Sequence, residues 1–114
     1  MYTLIVRCTF DAAHRLPTYP GKCARVHGHT YRVEVEVASE TLDAAGMVTD
    51  FVELRRRIEA VIPDHADLNE VMDLIPTAEN IAAWLFERLC TEGIPVSAVT
   101  VWETDHYGCR YSPS

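Results

Sequence analysis

Three of the chain's five histidines, His14, His27 and His29, crowd near its N-terminus. His27 and His29 lie two apart and run directly into Thr30-Tyr31-Arg32-Val33-Glu34-Val35-Glu36-Val37, which alternates apolar with polar residues. That period of two predicts a strand with one buried face. The same parity carries both histidines onto the face of Tyr31, Val33, Val35 and Val37. His14 closes the preceding strand, and a neutral imidazole is a good zinc ligand. A single histidine on an apolar face is usually a hydrogen-bonded core residue. A His-x-His at a strand mouth with a third histidine one strand earlier favours a metal site. Three histidines leave the fourth tetrahedral position open, the arrangement of catalytic rather than structural zinc. Cys23 stands beside them in two alternative roles. It is either the fourth ligand of a closed structural site or a thiolate acting as a base.

Two further places carry chemistry. In Asp64-His65 the carboxylate can orient the imidazole or keep it protonated, which suits a general acid, although adjacent pairs of this kind often arise by chance. Glu103 shares parity with Val99 and Val101, which turns a carboxylate toward an apolar face. Burying it unpaired is costly. It needs an internal arginine, or a ligand with two parallel N–H donors that a carboxylate accepts bidentately.

The formal charge of -7 argues against a nucleic-acid partner, but it is unevenly spread. Residues 1–32 carry Arg7, Arg15, Lys22, Arg25 and Arg32 against Asp11 alone, a net of +4 that leaves -11 for the remainder. The basic excess surrounds the histidines, where it can attract a small anion such as a polyphosphate. For any one of these side chains, simple solvation is an equally good account. With 114 residues and an ordinary apolar fraction, a single domain spanning 1–114 is expected. Leu4-Ile5-Val6 before Arg7 is too short for a signal peptide or membrane span, so no membrane partner is expected. Four scattered cysteines without such a signal read as reduced thiols, and the expected location is cytoplasmic.

The elements that must position these groups follow from pattern. Residues 2–10 read as a strand with Leu4, Val6, Cys8 and Phe10 on one face, Cys8 serving as a small hydrophobe. Asp11 to His14 leave that strand, and Pro17 and Pro20-Gly21 make an irregular loop that delivers Lys22 and Cys23. Asp50 with Glu53 resembles a capping box for a helix whose stripe is Phe51, Leu54, Ile58 and Val61, ended by Pro63. Arg55-Arg56-Arg57 is its solvated side. Thr77 is the N-cap of a second helix with Ile81, Trp84, Leu85 and Leu89 facing the core, stopped by Gly93 and Pro95. Strands follow over Val96–Thr104 and Tyr107–Tyr111, giving the order ββααββ. Cys90, Cys109 and His106 read as structural.

These residues resemble the 6-pyruvoyl-tetrahydropterin and 6-carboxy-tetrahydropterin synthase family over nearly the whole chain. The resemblance rests on Phe10-Asp11-Ala12-Ala13-His14, Cys23-x₃-His27-Gly28-His29, Asp50-Phe51, Asp64-His65-x₂-Leu68-Asn69, Pro76-Thr77-Ala78-Glu79-Asn80 and Glu103-Thr104. It implies an α+β tunnelling fold: a four-stranded antiparallel sheet with two helices, assembling as a homo-oligomer into a barrel of two stacked trimers. Active sites in that architecture lie between subunits. It further implies Zn²⁺ on His14, His27 and His29, Cys23 as catalytic base, and Asp64 with His65 as proton relay. Glu103 would anchor the pterin through its 2-amino and N3–H edge, with Thr77, Glu79 and Thr104 helping to hold the ring. Arg15, Lys22 and Arg25 are the nearest basic candidates for a triphosphate. The implied substrate is 7,8-dihydroneopterin triphosphate. Three residues between Cys23 and His27 resemble the carboxy branch, lyases of queuosine and 7-deazapurine biosynthesis that release acetaldehyde and triphosphate. The pyruvoyl branch typically has a longer insert there. Ile75 before Pro76, where the family often has a polar residue, and a short link after the second strand are departures from its pattern. From another class, a non-catalytic zinc-binding assembly module with Cys23 closing the shell is the competing expectation.

Overall fold

The computed structural model describes residues 1–18 and 21–114, with Cys23 described through its backbone alone. The loop expected around Pro20 therefore lies in part outside the described residues. Two long strands dominate the fold, β1 (Tyr2–His14) and β2 (His27–Ser39), antiparallel and in register from Tyr2↔Ser39 to His14↔His27. The strict alternation buries Val6, Cys8, Phe10, Ala12 and His14 of β1 and Tyr31, Val33, Val35 and Val37 of β2 on one face. Arg7, Thr9 and Asp11 of β1 and Thr30 and Arg32 of β2 stand on the other, open face.

The expectation that the chain leaves β1 after Phe10 is corrected here. Asp11 to His14 stay extended because each finds a cross-strand partner in Thr30 to His27, with small Ala12 and Ala13 between them. Helix α1 (Phe51–Glu59) is capped by Asp50, whose carboxylate accepts from Val52 N–H at 2.9 Å. The reciprocal half of a capping box is not made, since Glu53 pairs instead with Arg56. Leu54 and Ile58 face the core, whereas Phe51 is exposed. Arg55 and Arg56 pair with Glu59 and Glu53 on a solvated face as expected, whereas Arg57 is half-buried and donates to the Glu92 carbonyl at 2.9 Å.

Two short elements then depart from the predicted ββααββ order. β3 (Ala66–Asp67) pairs in parallel with Ala12 and Ala13, and α2 (Leu68–Val71) follows at once, capped by Asp67. The sheet is therefore mixed and five-stranded, in the order β3-β1-β2-β4-β5, with three α-helices rather than two. Neither element is readable from periodicity, because each spans only about one period of its own pattern. α3 (Ala78–Thr91) buries Ile81, Ala82, Leu85, Phe86 and Leu89, and half-buried Trp84 carries Arg88 over its ring. Gly93, at φ 79°, ends α3 in a Schellman turn: Gly93 N–H reaches Cys90 O and Ile94 N–H reaches Leu89 O, both at 3.0 Å. β4 (Ala98–Trp102) and β5 (Gly108–Tyr111) complete the sheet. Among the described residues, no helix is long and apolar enough to cross a membrane.

The connection that carries Asp64 and His65 is stitched to the end of β1. His65 N–H donates to Asp11 O at 2.6 Å, and Asp11 N–H donates to the Asp64 carboxylate at 2.9 Å. Further on, the Asn69 amide clamps both backbone groups of Arg15, accepting from its N–H at 2.7 Å and donating to its carbonyl at 3.1 Å. Asn69→Ala removes both bonds at a half-buried position. It should cost about 1–3 kcal/mol in chemical denaturation, whereas Glu70→Ala on the exposed side of α2 stays within about 0.5 kcal/mol. Equal, small effects from the two variants would show that the clamp does not hold the segment.

Candidate metal centre and active site

The β1–β2 register builds the centre. His14 and His27 are directly opposed at the last pair of the ladder, and His29 sits opposite small Ala12, diagonal to His14. The three rings meet edge to face with centroids 4.6–4.9 Å apart. His14 is fully buried, and His27 and His29 are half-buried.

Hydrogen bonding settles which nitrogens are available. His14 Nδ1 lies 2.8 Å from the Pro76 carbonyl, and His27 Nδ1 lies 2.7 Å from the Arg25 carbonyl. A carbonyl only accepts, so each Nδ1 carries the hydrogen and each Nε2 presents a lone pair. Those two Nε2 atoms face each other at 3.1 Å. Two lone pairs at that distance repel unless a cation lies between them. His29 Nε2 is a buried atom without a hydrogen-bond partner. It is 3.2 Å from Glu103 Oε1, a Coulombic approach without hydrogen-bond geometry. Burial lowers the pKa of His29, with Glu103 opposing and the other two histidines assisting, which favours the neutral ring a metal requires. The donor atoms of His14, His27, His29 and Glu103 all lie within 4.8 Å of one another. Convergent lone pairs, carbonyl-fixed tautomers and an orphaned third nitrogen fit a bound cation.

Glu103 is one residue past the end of β4, and its inward parity is retained. Its carboxylate is 3.8 Å from His14 Nε2 as well as close to His29. Sequence parity found the residue but not its nearness to the histidines, because a bend after Trp102 separates it from the strand. Tyr31, noted in the sequence only as part of the buried face, is fully buried beside His14 and His29. Its hydroxyl has no partner. Burial, then the charge of Glu103, pushes its phenol far above the ordinary range.

Asp64 and His65 form a separate group with Asp11 on the open face of the sheet. Asp64 Oδ2 is 3.1 Å from His65 Nδ1, and the Asp11 amide is the first cause that holds the Asp64 carboxyl below its usual range. His65 is exposed and left-handed at φ 57°, a conformation rarely taken by residues other than glycine. A groove of about 560 Å³ opens beside it, lined by Asp11, Ala13, Gly28, Thr30 and His65. Adjacency in sequence foretold the Asp64–His65 contact, but the two groups occupy opposite faces of the sheet.

The remaining candidates are placed as follows. Arg15, Lys22 and Arg25 are exposed around the loop between β1 and β2. Cys23 lies in a 3-10 turn, Gly21–Ala24, and its side chain is outside the described residues. Thr77 caps α3 by accepting from Asn80 N–H at 3.1 Å, and Asn80 in turn donates to the Ile75 carbonyl at 2.9 Å. Those two bonds hold the Pro76 carbonyl toward His14. Glu79 is exposed in the first turn of α3. Thr104 accepts from His106 N–H and Tyr107 N–H, closing the β4–β5 turn. Cys8 is buried, and Cys8, Cys90 and Cys109 are free thiols.

Zinc should raise the melting temperature, and a chelator should reverse the rise. At zinc about 1,000-fold above its dissociation constant the gain is about 4 kcal/mol. His29→Ala should abolish the shift, while His65→Ala and His106→Ala retain it. A shift that survives His29→Ala would place the metal elsewhere.

The 6-pyruvoyl tetrahydropterin synthase family profile matches residues 3–114. The 6-carboxy-5,6,7,8-tetrahydropterin synthase of Synechocystis is 40% identical over 97% of this chain and 93% of its own. The dihydroneopterin monophosphate aldolase of Pyrococcus furiosus is 36% identical over 92% of each chain. The structure of Caenorhabditis elegans 6-pyruvoyl tetrahydropterin synthase superposes with a TM-score of 0.86 at 28% identity, covering 99% of this chain and 96% of that one. The chain therefore has the tunnelling fold and belongs to the 6-pyruvoyl tetrahydropterin synthase family.

Proposed function

We propose that the protein is a zinc-dependent lyase that converts 7,8-dihydroneopterin triphosphate to 6-carboxy-5,6,7,8-tetrahydropterin, releasing acetaldehyde and triphosphate, in the queuosine and 7-deazapurine pathway. The observation that carries this reading is the convergence of three imidazoles with two Nε2 lone pairs 3.1 Å apart. The 40%-identical carboxy-tetrahydropterin synthase and the three-residue spacing from Cys23 to His27 support the branch.

The chain's own residues divide the work. His14, His27 and His29 would hold Zn²⁺, the nitrogen-rich set that suits this ion. When bound, zinc supplies Lewis acidity that acidifies a C–H next to side-chain oxygens. Cys23, four residues ahead of His27 in the sequence, is the base that takes the proton. Glu103 grips the donor pair on the pterin edge. Thr77, Glu79 and Thr104 bound the ring. Arg15, Lys22 and Arg25 meet the triphosphate, since they stand exposed around the mouth of the histidine strands. Asp64 keeps His65 oriented to return a proton. Because that pair lies on the opposite face from the histidines, it serves the site of a neighbouring copy in a homo-oligomer.

Product analysis by mass spectrometry tests the reading. Zinc-loaded protein incubated with 7,8-dihydroneopterin triphosphate should give the carboxy product and acetaldehyde, and Cys23→Ala should keep its zinc yet lose at least about 100-fold in rate. A pyruvoyl product would move the protein to the sister branch. Cleavage of dihydroneopterin monophosphate alone would favour an activity like that of the Pyrococcus relative. No turnover, with zinc lost from Cys23→Ala, would favour the non-catalytic module. Glu103→Gln should weaken pterin binding by about tenfold or more with zinc retained, and unchanged affinity would remove the anchor assignment.

A further inference from the structure

Among the described residues, two buried side-chain polar atoms lack any hydrogen-bond partner: His29 Nε2 and Tyr31 Oη. The metal reading accounts for the first. It leaves the phenol unexplained, although an unsatisfied buried hydroxyl is costly to fold around.

The sheet register says what lies beside it. β2 pairs with β4 through Val33↔Val101 and Arg32↔Trp102. Tyr31 and Glu103 are the next residues beyond that last pair, and both lie against His29, the Tyr31 ring at a centroid distance of 5.5 Å and the Glu103 carboxylate at 3.2 Å. On its other side Tyr31 stacks on its β1 partner Phe10, centroids 5.0 Å apart, in a fully buried position. Glu103 is half-buried, whereas Tyr31 is fully buried. Its carboxylate now leans on His29 Nε2 at 3.2 Å and approaches His14 Nε2 at 3.8 Å. From that position a carboxylate would itself take the fourth place around a cation held by the three histidines. The site would then be closed.

We infer that Tyr31 is a positioning residue: its hydroxyl receives the Glu103 carboxylate and holds it off the three-histidine centre, keeping the fourth position open for ligand. Glu103 thus has two resting places, one against the imidazoles and one against the phenol, and the phenol is what makes the second available. This explains why a hydroxyl is buried where a phenylalanine would pack equally well against Phe10. The inference rests on the proposed metal-centred reading. Its test uses no pterin, so failure of the pterin activity and failure of this inference appear in separate measurements.

The experiment loads the metal-free full chain with Co²⁺. Visible d–d absorption and the dissociation constant against a competing chelator are then measured for wild type, Tyr31→Phe, Glu103→Gln and the double variant. Tyr31→Phe keeps the ring and removes an unpartnered oxygen, so its metal-free melting temperature should equal or exceed that of wild type. Its Co²⁺ spectrum should shift, and the metal should bind about tenfold more tightly as Glu103 closes on it. Both changes should vanish when Tyr31→Phe is made in the Glu103→Gln background, the signature of a residue acting through another. A Tyr31→Phe protein with the wild-type spectrum and affinity would overturn the inference. So would a change that persists undiminished without the Glu103 carboxylate.

Discussion

The rest of the structure depends on two imidazole lone pairs turned toward each other at 3.1 Å and partly out of water. Left without a cation that contact is unfavourable, and the fold spends considerable structure to enforce it. The two rings are the last pair of a ladder that runs the full length of β1 and β2, so neither can slide without disturbing the whole pairing. Their tautomers are fixed from behind by backbone carbonyls. One of these, Pro76 O, is presented by a turn that Thr77 and Asn80 hold at the start of α3. The helix cap and the metal centre are thus one construction. A change at Asn80 would reach His14 through the Pro76 carbonyl without touching the imidazole.

A second constraint runs along the other side of β1. The segment from Asp64 to Asn69 is sewn to Asp11–Arg15 by backbone bonds, a short parallel pairing and the Asn69 clamp. The histidine centre therefore meets β1 on its buried face, and Asp64 and His65 are held against Asp11 on its open face. A strand gives successive side chains opposite directions, so Asp11, which that pair touches, points away from the face that carries His14. The left-handed His65 belongs to this arrangement: the backbone turns there so that Asp64 can reach back to the Asp11 amide while the exposed imidazole stays beside the same carboxylate.

Much of this was legible in the sequence, for stated reasons. Alternation from Thr30 to Val37 located β2 and predicted which way His27 and His29 point, and Thr77 was readable as a cap from its neighbours. The inward parity of Glu103 held even though its strand ends one residue earlier. What escaped was non-local or too short to have a period. The extension of β1 through His14 depends on partners in β2, and the two-residue β3 depends on β1. Helical spacing points Phe51 inward, but it begins α1 and stands exposed. Tyr31 carries the least sequence signal of all, since a tyrosine on a buried strand face looks like core until its hydroxyl is found without a partner.

The central claim is that His14, His27 and His29 hold a metal through their Nε2 atoms and leave a position for ligand. X-ray absorption at the zinc edge of the loaded protein reports the donor atoms directly. The account predicts three imidazole nitrogens at about 2.0–2.1 Å and one further light atom, with no sulfur. A scatterer at about 2.3 Å would mean that Cys23 closes the shell, which would contradict an open catalytic centre.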